Sequence, residues 1–390
     1  MNTTSERIQV LAEYGLNKSE IDELLAYNYN NFQTLNWKQI QQFPLGDESH
    51  IALWEEYAAE AQSKGTYETL KQYLIQLQFP IAPGISDRPE YQAATRKGVD
   101  PKELQLATGL PLQAPEQLQL WIHQTIAGKI PVIVAGDRAD FVTLVRALTK
   151  KNEPQPIPEA MGACIVEGYN NWHRLRRYRQ QWQGANPWGN WQQEFKKIIL
   201  QKNLYQDRFI ILSQGNYSGV SAAQLGLAKE LWQDLSLKIR LEHECTHYMT
   251  RRLLNSMQNN LLDELIADYQ GIVTAWGSYC SDWCLYFMGL ESSTYRQGGR
   301  LENYRGEPPL SDKAFQVLQR LVRQAAQNLA NFDRQYYQER DRNPLHKLAV
   351  FIALTRSNLE ELASTTAVVQ LLARTQQEFD FLNRNEITAY

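Results

Sequence analysis

Cysteine is scarce, with four in 390 residues, and that scarcity excludes a disulfide-stapled scaffold. Long apolar runs are missing as well: none approaches the ~20 residues that cross a bilayer. Residues 1–13 lack the unbroken apolar core of a signal peptide, so the expected location is cytoplasmic. Neither sign of charge predominates. Lysine and arginine number 40 against 43 acids, the net charge is −3 and the pI is about 6.1. On that balance neither a nucleic-acid partner nor a membrane is expected. There is no internal repeat and no low-complexity tract. The strand candidates are not followed by a complete phosphate-loop or dinucleotide pattern.

What is present is enough apolar material, 43% of residues, for two or three domains or one large bilobed one. The expected fold is α+β and predominantly α-helical. Residues 1–128 read as a helical N-terminal region, 129–277 as an α+β core and 278–390 as a helical C-terminal lobe. In the first span, Ser19 with Asp22 reads as a capping box opening a helix over 20–27. Further helices are expected over 49–63 and 67–77. Asp100-Pro101 and Ala114-Pro115 read as helix starts, the latter helix closing near Gly128. Strands are expected at 130–135, with Pro131 at the start, at 163–166 and at 208–213. The basic run 174–179 reads as a solvated helix face, with a nucleic-acid or acidic partner as the alternative. Helices follow over 188–201, 222–257 and 261–276, with Asn259-Asn260 breaking the chain between the last two. A long helix over 313–335 is capped by Ser311, and the tail is helical over 345–354 and 359–381.

The chemistry concentrates in Leu241-Glu242-His243-Glu244-Cys245-Thr246-His247, which contains His-Glu-x-x-His. On a helix His243 and His247 are one turn apart and point the same way. That geometry lets two imidazoles hold one zinc ion. Glu244 lies beside the pair, where it can take a proton from water. At about 100° per residue, His247 falls about 40° and Glu244 about 100° from His243, while Leu237, Leu241, Cys245, Tyr248 and Met249 occupy the opposite side. Downstream, Asp263-Glu264-Leu265-Ile266-Ala267-Asp268 offers a carboxylate as third ligand and leaves a fourth position open.

These residues resemble the zincin metallopeptidases, in the branch whose third ligand is a glutamate on a downstream helix. The resemblance covers about residues 208–271 and rests on His243, Glu244, His247, Glu264 and Asp268. It implies a zincin-like catalytic core in which His243, His247 and Glu264 bind one Zn2+ and Glu244 is the general base. It also implies that Asp268 accepts the second ring proton of a ligating histidine. An active-site helix beside a small β-sheet is implied too, with 208–213 as the edge strand to which a peptide substrate would add. In that branch a tyrosine or histidine from the C-terminal helices stabilises the transition state, and His346, Tyr304 and Tyr269 are the candidates.

Cys164 is a rival third ligand, since some hydrolases with this motif use a thiolate. Cys245 reads as a small buried hydrophobe, and Cys280 with Cys284 as a core pair. The substrate expected is a peptide or a small amide, and the sequence leaves the oligomeric state open. Two other functions fit the residues: hydrolysis of a non-peptide amide, or a zinc-stabilised binding protein without peptidase activity.

Overall fold

The structure, a computed structural model, describes residues 4–32, 43–255 and 261–387. It is a predominantly α-helical α+β protein with one four-stranded mixed sheet. The chain divides into two compact units: residues 46–215, and residues 1–45 together with 216–390. These cuts differ from the expected boundaries at 128 and 277. The sheet and the His-Glu-x-x-His helix belong to different units, and the two ends of the chain to one.

The sheet of the first unit contains β1 (Gln119–Thr125), β2 (Gly128–Ala135), β3 (Ala163–Asn170) and β4 (Gln206–Ser213), in the order β1-β2-β4-β3. The β1–β2 and β3–β4 pairs are antiparallel, and β2–β4 is parallel. Because β4 has a neighbour on each side, it is not the edge strand that the resemblance implied for 208–213. A peptide cannot add to it. Ile133, Phe209 and Ile211 pack with Trp54, Leu144 and Tyr169 in the core of this unit.

β1 replaces the helix expected before Gly128. Pro115 opens only a three-residue turn, Pro115–Gln117. Trp121, Ile122 and Thr125, side chains that suit a pleated surface, then run as a strand. Gly128, at φ +92, supplies the left-handed backbone that closes the hairpin. Pro131 lies inside β2, opposite Ile122. The parallel pairing of β2 with β4 begins one residue later, at Val132, so the missing N–H leaves that ladder intact. The start signal at Asp100-Pro101 likewise yields a single turn, Pro101–Glu103.

The second unit is helical. Thr4–Ala12 and Lys18–Tyr27 open it, the latter capped by Asn17 in a capping box with Glu20 rather than by Ser19. The histidine helix is Lys229–Leu254 and the acidic helix Leu261–Trp276; the expected break at Asn259-Asn260 lies outside the described residues. Ser281–Met288, Asp312–Tyr336 and Pro344–Thr355 follow. The expected tail helix is divided into Leu359–Ala363 and Ala367–Arg384. Both ends of the chain interlock here. Arg7 pairs with buried Glu360 at 3.1 Å. Glu23 accepts hydrogen bonds from the Ser311 amide and hydroxyl at 2.6 and 2.8 Å. The Tyr27 hydroxyl donates to the Tyr304 carbonyl. Among the described residues no helix is long and apolar enough to cross a membrane.

Candidate metal centre

The histidine and acidic helices pack along one another. His247 meets Asp263, His243 meets Asp268, and Ile239 meets Gly271. Residue numbers rise on one helix as they fall on the other, so the pair is antiparallel. Glycine at 271 allows the close approach: a Cβ there would come within 2.8 Å of the Ile239 carbonyl oxygen.

Both sides of the histidine helix are covered. Cys245, Tyr248 and Met249 are buried as expected, and His243 and His247 are each only 7% exposed. The two Nε2 atoms are 3.1 Å apart. Glu264 straddles them, with Oε2 at 3.3 Å from His243 Nε2 and Oε1 at 3.4 Å from His247 Nε2. One ligand atom from each of the three residues lies within 4.8 Å of the others. That is a three-donor group able to hold a metal ion.

The far side of each ring is fixed by a carboxylate. His243 Nδ1 lies 3.0 Å from Asp268 Oδ1, and His247 Nδ1 lies 3.0 Å from Asp263 Oδ2. An ionised carboxylate only accepts, so each Nδ1 carries the proton. In a neutral ring Nε2 then keeps its lone pair for the shared point. Asp268 is itself held by the Tyr217 hydroxyl at 2.8 Å and by Arg300. Arg300 also donates to the Tyr217 hydroxyl at 2.9 Å and to Ser218 Oγ at 3.1 Å.

The electrostatics follow from burial opposed by charge. Burial favours neutral rings, yet Asp268 and Glu264 hold the His243 pKa above the ordinary histidine value. Asp263 and Glu264 hold that of His247 well above it. Against its own burial, Glu264 is kept well below the usual carboxylate range by the two histidines, and Asp268 is lowered chiefly by Arg300. Burial raises Asp263. It also raises Glu244, against the pull of both histidines. Glu244 is half-buried, and its carboxylate has no hydrogen bond among the described residues.

The expected site residues separate into two groups. His243, Glu244, His247, Glu264 and Asp268 come together. Tyr304 joins them: burial raises its pKa, and the neighbouring Glu264 carboxylate adds to the rise. Tyr269 points elsewhere, donating to Asp333 at 2.7 Å. His346 is bonded to the Tyr336 hydroxyl at 2.9 Å and stacked on Phe379 at 4.2 Å. Cys164 lies on β3 in the other unit, packed against that unit's core. Cys280 and Cys284 are free thiols; burial pushes Cys284 up to about 12.

Three members of the site were not anticipated. Asp263 adjoins Glu264 in the sequence, and that adjacency was its available signal. Tyr217, in the turn after β4, and Arg300, after two glycines, reach the site through tertiary packing that no spacing rule encodes. The chain belongs to a family of unknown function, DUF7005, whose model matches residues 9–366. No curated protein and no solved structure matches it.

Proposed function

We propose that this protein is a zinc-dependent metallohydrolase of the cytoplasm, a metallopeptidase that cleaves peptide bonds in the manner of the zincins its motif resembles. The observation that carries this reading is the convergence of His243, His247 and Glu264, with Glu244 alongside and, among the described residues, without a hydrogen bond to its carboxylate. The donor set fits zinc. Two imidazole nitrogens and a carboxylate are the ligands of many catalytic zinc sites. Tetrahedral bonds of about 2.0–2.1 Å imply a ligand-to-ligand edge of about 3.3 Å; the two imidazole nitrogens are 3.1 Å apart, and each has its own Glu264 oxygen, at 3.3 and 3.4 Å. The carboxylate behind each histidine is the usual outer partner of a metal-bound imidazole.

Bound there, zinc would supply Lewis acidity toward water and the scissile carbonyl. Glu244 would take the proton of the attacking water and return it to the departing amine. Its raised pKa suits both directions of that transfer. Asp263 and Asp268 would keep both rings in the ligating tautomer. Tyr304, beside Glu264, is the candidate to steady the oxyanion.

A small non-peptide amide is the second reading. It is favoured by the burial of His243, His247 and Glu264 and by the two-sided pairing of β4, which removes the expected peptide-binding edge.

The test is metal analysis of purified wild type, His243→Ala and Glu244→Gln, with an amide-substrate screen under chelator control. One equivalent of zinc in wild type and Glu244→Gln, little in His243→Ala, and turnover lost in both variants are expected. Iron at these positions would replace hydrolysis with oxygen chemistry. Undiminished turnover by Glu244→Gln would remove it as the base.

A further inference from the structure

β3 and β4 are antiparallel neighbours, and their last paired residues are Asn170 and Gln206. Such strands need only about two to five residues to turn. Here the connection is residues 171–205, folded as a helical hairpin of Trp172–Ala185 and Trp191–Ile198. Only Asn171, Leu175 and Ile198 within it are buried. The segment therefore adds little to the core of its unit, and its composition points outward.

Its seven arginines and lysines face one acid, Glu194, a local charge of +6 in a chain of net −3. The near-neutral total conceals this, because the remainder of the chain is −9. Arg174 and Arg177 are paired with Asp207 and Glu56. Arg176, Arg179, Lys196 and Lys202 are exposed. The positive surface continues onto the body of the unit, where Arg176 lines a cavity of about 900 Å³ with Lys64, Lys71 and Lys102, against Glu68 and Asp100.

The aromatic side chains are divided between two tasks. Trp191 lies 5.9 Å from Trp182, 6.4 Å from Tyr178 and 6.1 Å from Phe195, with Arg179 over its face. These rings zip the hairpin. Trp182 also covers Gly189, where a Cβ would come within 2.3 Å of the indole, and this fixes the tip. At the tip Trp188 is 99% exposed, and Leu200 and Ile199, past the second helix, are 83% and 45% exposed.

We propose that this hairpin docks on an anionic bilayer surface, seating Trp188, Ile199 and Leu200 among the headgroups and its cations on the lipid phosphates and carboxylates. Tryptophan prefers that interface, aliphatic side chains gain by entering its apolar margin, and flanking cations add the electrostatic attraction. Single-stranded nucleic acid fits less well. Apart from Trp188, the rings of the two helices that would stack on bases, Tyr178, Trp182, Trp191 and Phe195, are engaged with one another, and exposed leucine and isoleucine gain little from bases. The docking is independent of the metal centre.

The experiment is co-sedimentation of the full chain with phosphatidylcholine vesicles, with and without about one-third phosphatidylserine. Binding to the anionic vesicles only, released by salt, is expected. Lys196→Gln with Lys202→Gln should weaken it about fivefold per cation removed. Trp188→Ala with Leu200→Ser should weaken it at least as much while leaving thermal stability unchanged, since both side chains are exposed. Absence of binding at low salt, indifference to both double variants, or displacement from vesicles by a single-stranded oligonucleotide would each overturn the proposal.

Discussion

His247 Nδ1 lies 3.0 Å from Asp263 Oδ2, repeating on the second imidazole the contact that Asp268 makes with the first. Each ring is thus oriented by its own carboxylate, and the two carboxylates and Glu264 all come from the acidic helix. Asp263→Asn and Asp268→Asn should each lower zinc affinity by about 10–100-fold, read by competition with a chelating dye. Wild-type affinity in both would show that the carboxylates do not tune the rings.

Gly271 sets the separation of the two helices. Gly271→Ala places a methyl group within 2.8 Å of the Ile239 oxygen, and either the backbone yields or the helices part. A loss of about 1–3 kcal/mol is expected, together with weaker zinc binding as Glu264 withdraws. Thermal unfolding with and without zinc measures both. A variant as stable and as avid as wild type would show that the approach is not needed.

The ion-free centre should respond to pH with two opposite slopes. The folded pKa values of His243 and His247 are raised, so their stabilisation is complete below about pH 6.5 and is lost as pH rises through those values. Glu264 is depressed; its contribution is present above about pH 4.3 and fails as pH falls through its folded value. Zinc requires neutral rings and displaces their protons. From about pH 6 to about pH 9 the Tm of chelated protein should therefore fall, while the Tm gain from added zinc should grow. A gain that stays flat across that range would contradict the linkage.

Three side chains were expected to compete for the role beside the oxyanion, and one of them lies at the centre. Tyr304→Phe should reduce turnover by about 100-fold with zinc retained. Tyr269→Phe should leave turnover near wild type and cost about 1 kcal/mol through the lost bond to Asp333. His346→Ala should likewise spare turnover. Steady-state kinetics beside thermal unfolding distinguishes them, and a Tyr304→Phe enzyme of undiminished turnover would remove that side chain from the reaction.

What could be read in advance follows the range of the interaction. His243 and His247 share a face because they are four apart on one helix, and Glu264 and Asp268 repeat that relation on the next. Local periodicity was enough to pair the histidines, and the resemblance to the zincin motif pointed to Glu264 and Asp268. Asp263 is one residue from Glu264 but about 100° around the helix, so a same-face rule passes over it, and only the position of the opposing helix gives it a partner. Tyr217 and Arg300 are 83 residues apart and touch through their side chains alone. The start signal at Ala114-Pro115 is real but local: it opens one turn, and the pairing of Gln119–Thr125 with Gly128–Ala135 then takes the chain that a helix would have used. The placement of β4 between two neighbours also depends on segments distant in sequence, and so the expected edge was not one.

The bond from Tyr27 to the Tyr304 carbonyl, and that from Ser311 to Glu23, impose an order of events on the ribosome. The helices over 4–27 must wait for partners 277 and 288 residues further along the chain. At about 5–20 residues per second the delay is roughly 15–60 s, during which residues 46–215, contiguous in the chain, are free to fold. A fragment beginning at residue 46 would keep every side chain of the candidate metal centre yet lack the helices against which the Tyr304 segment is braced.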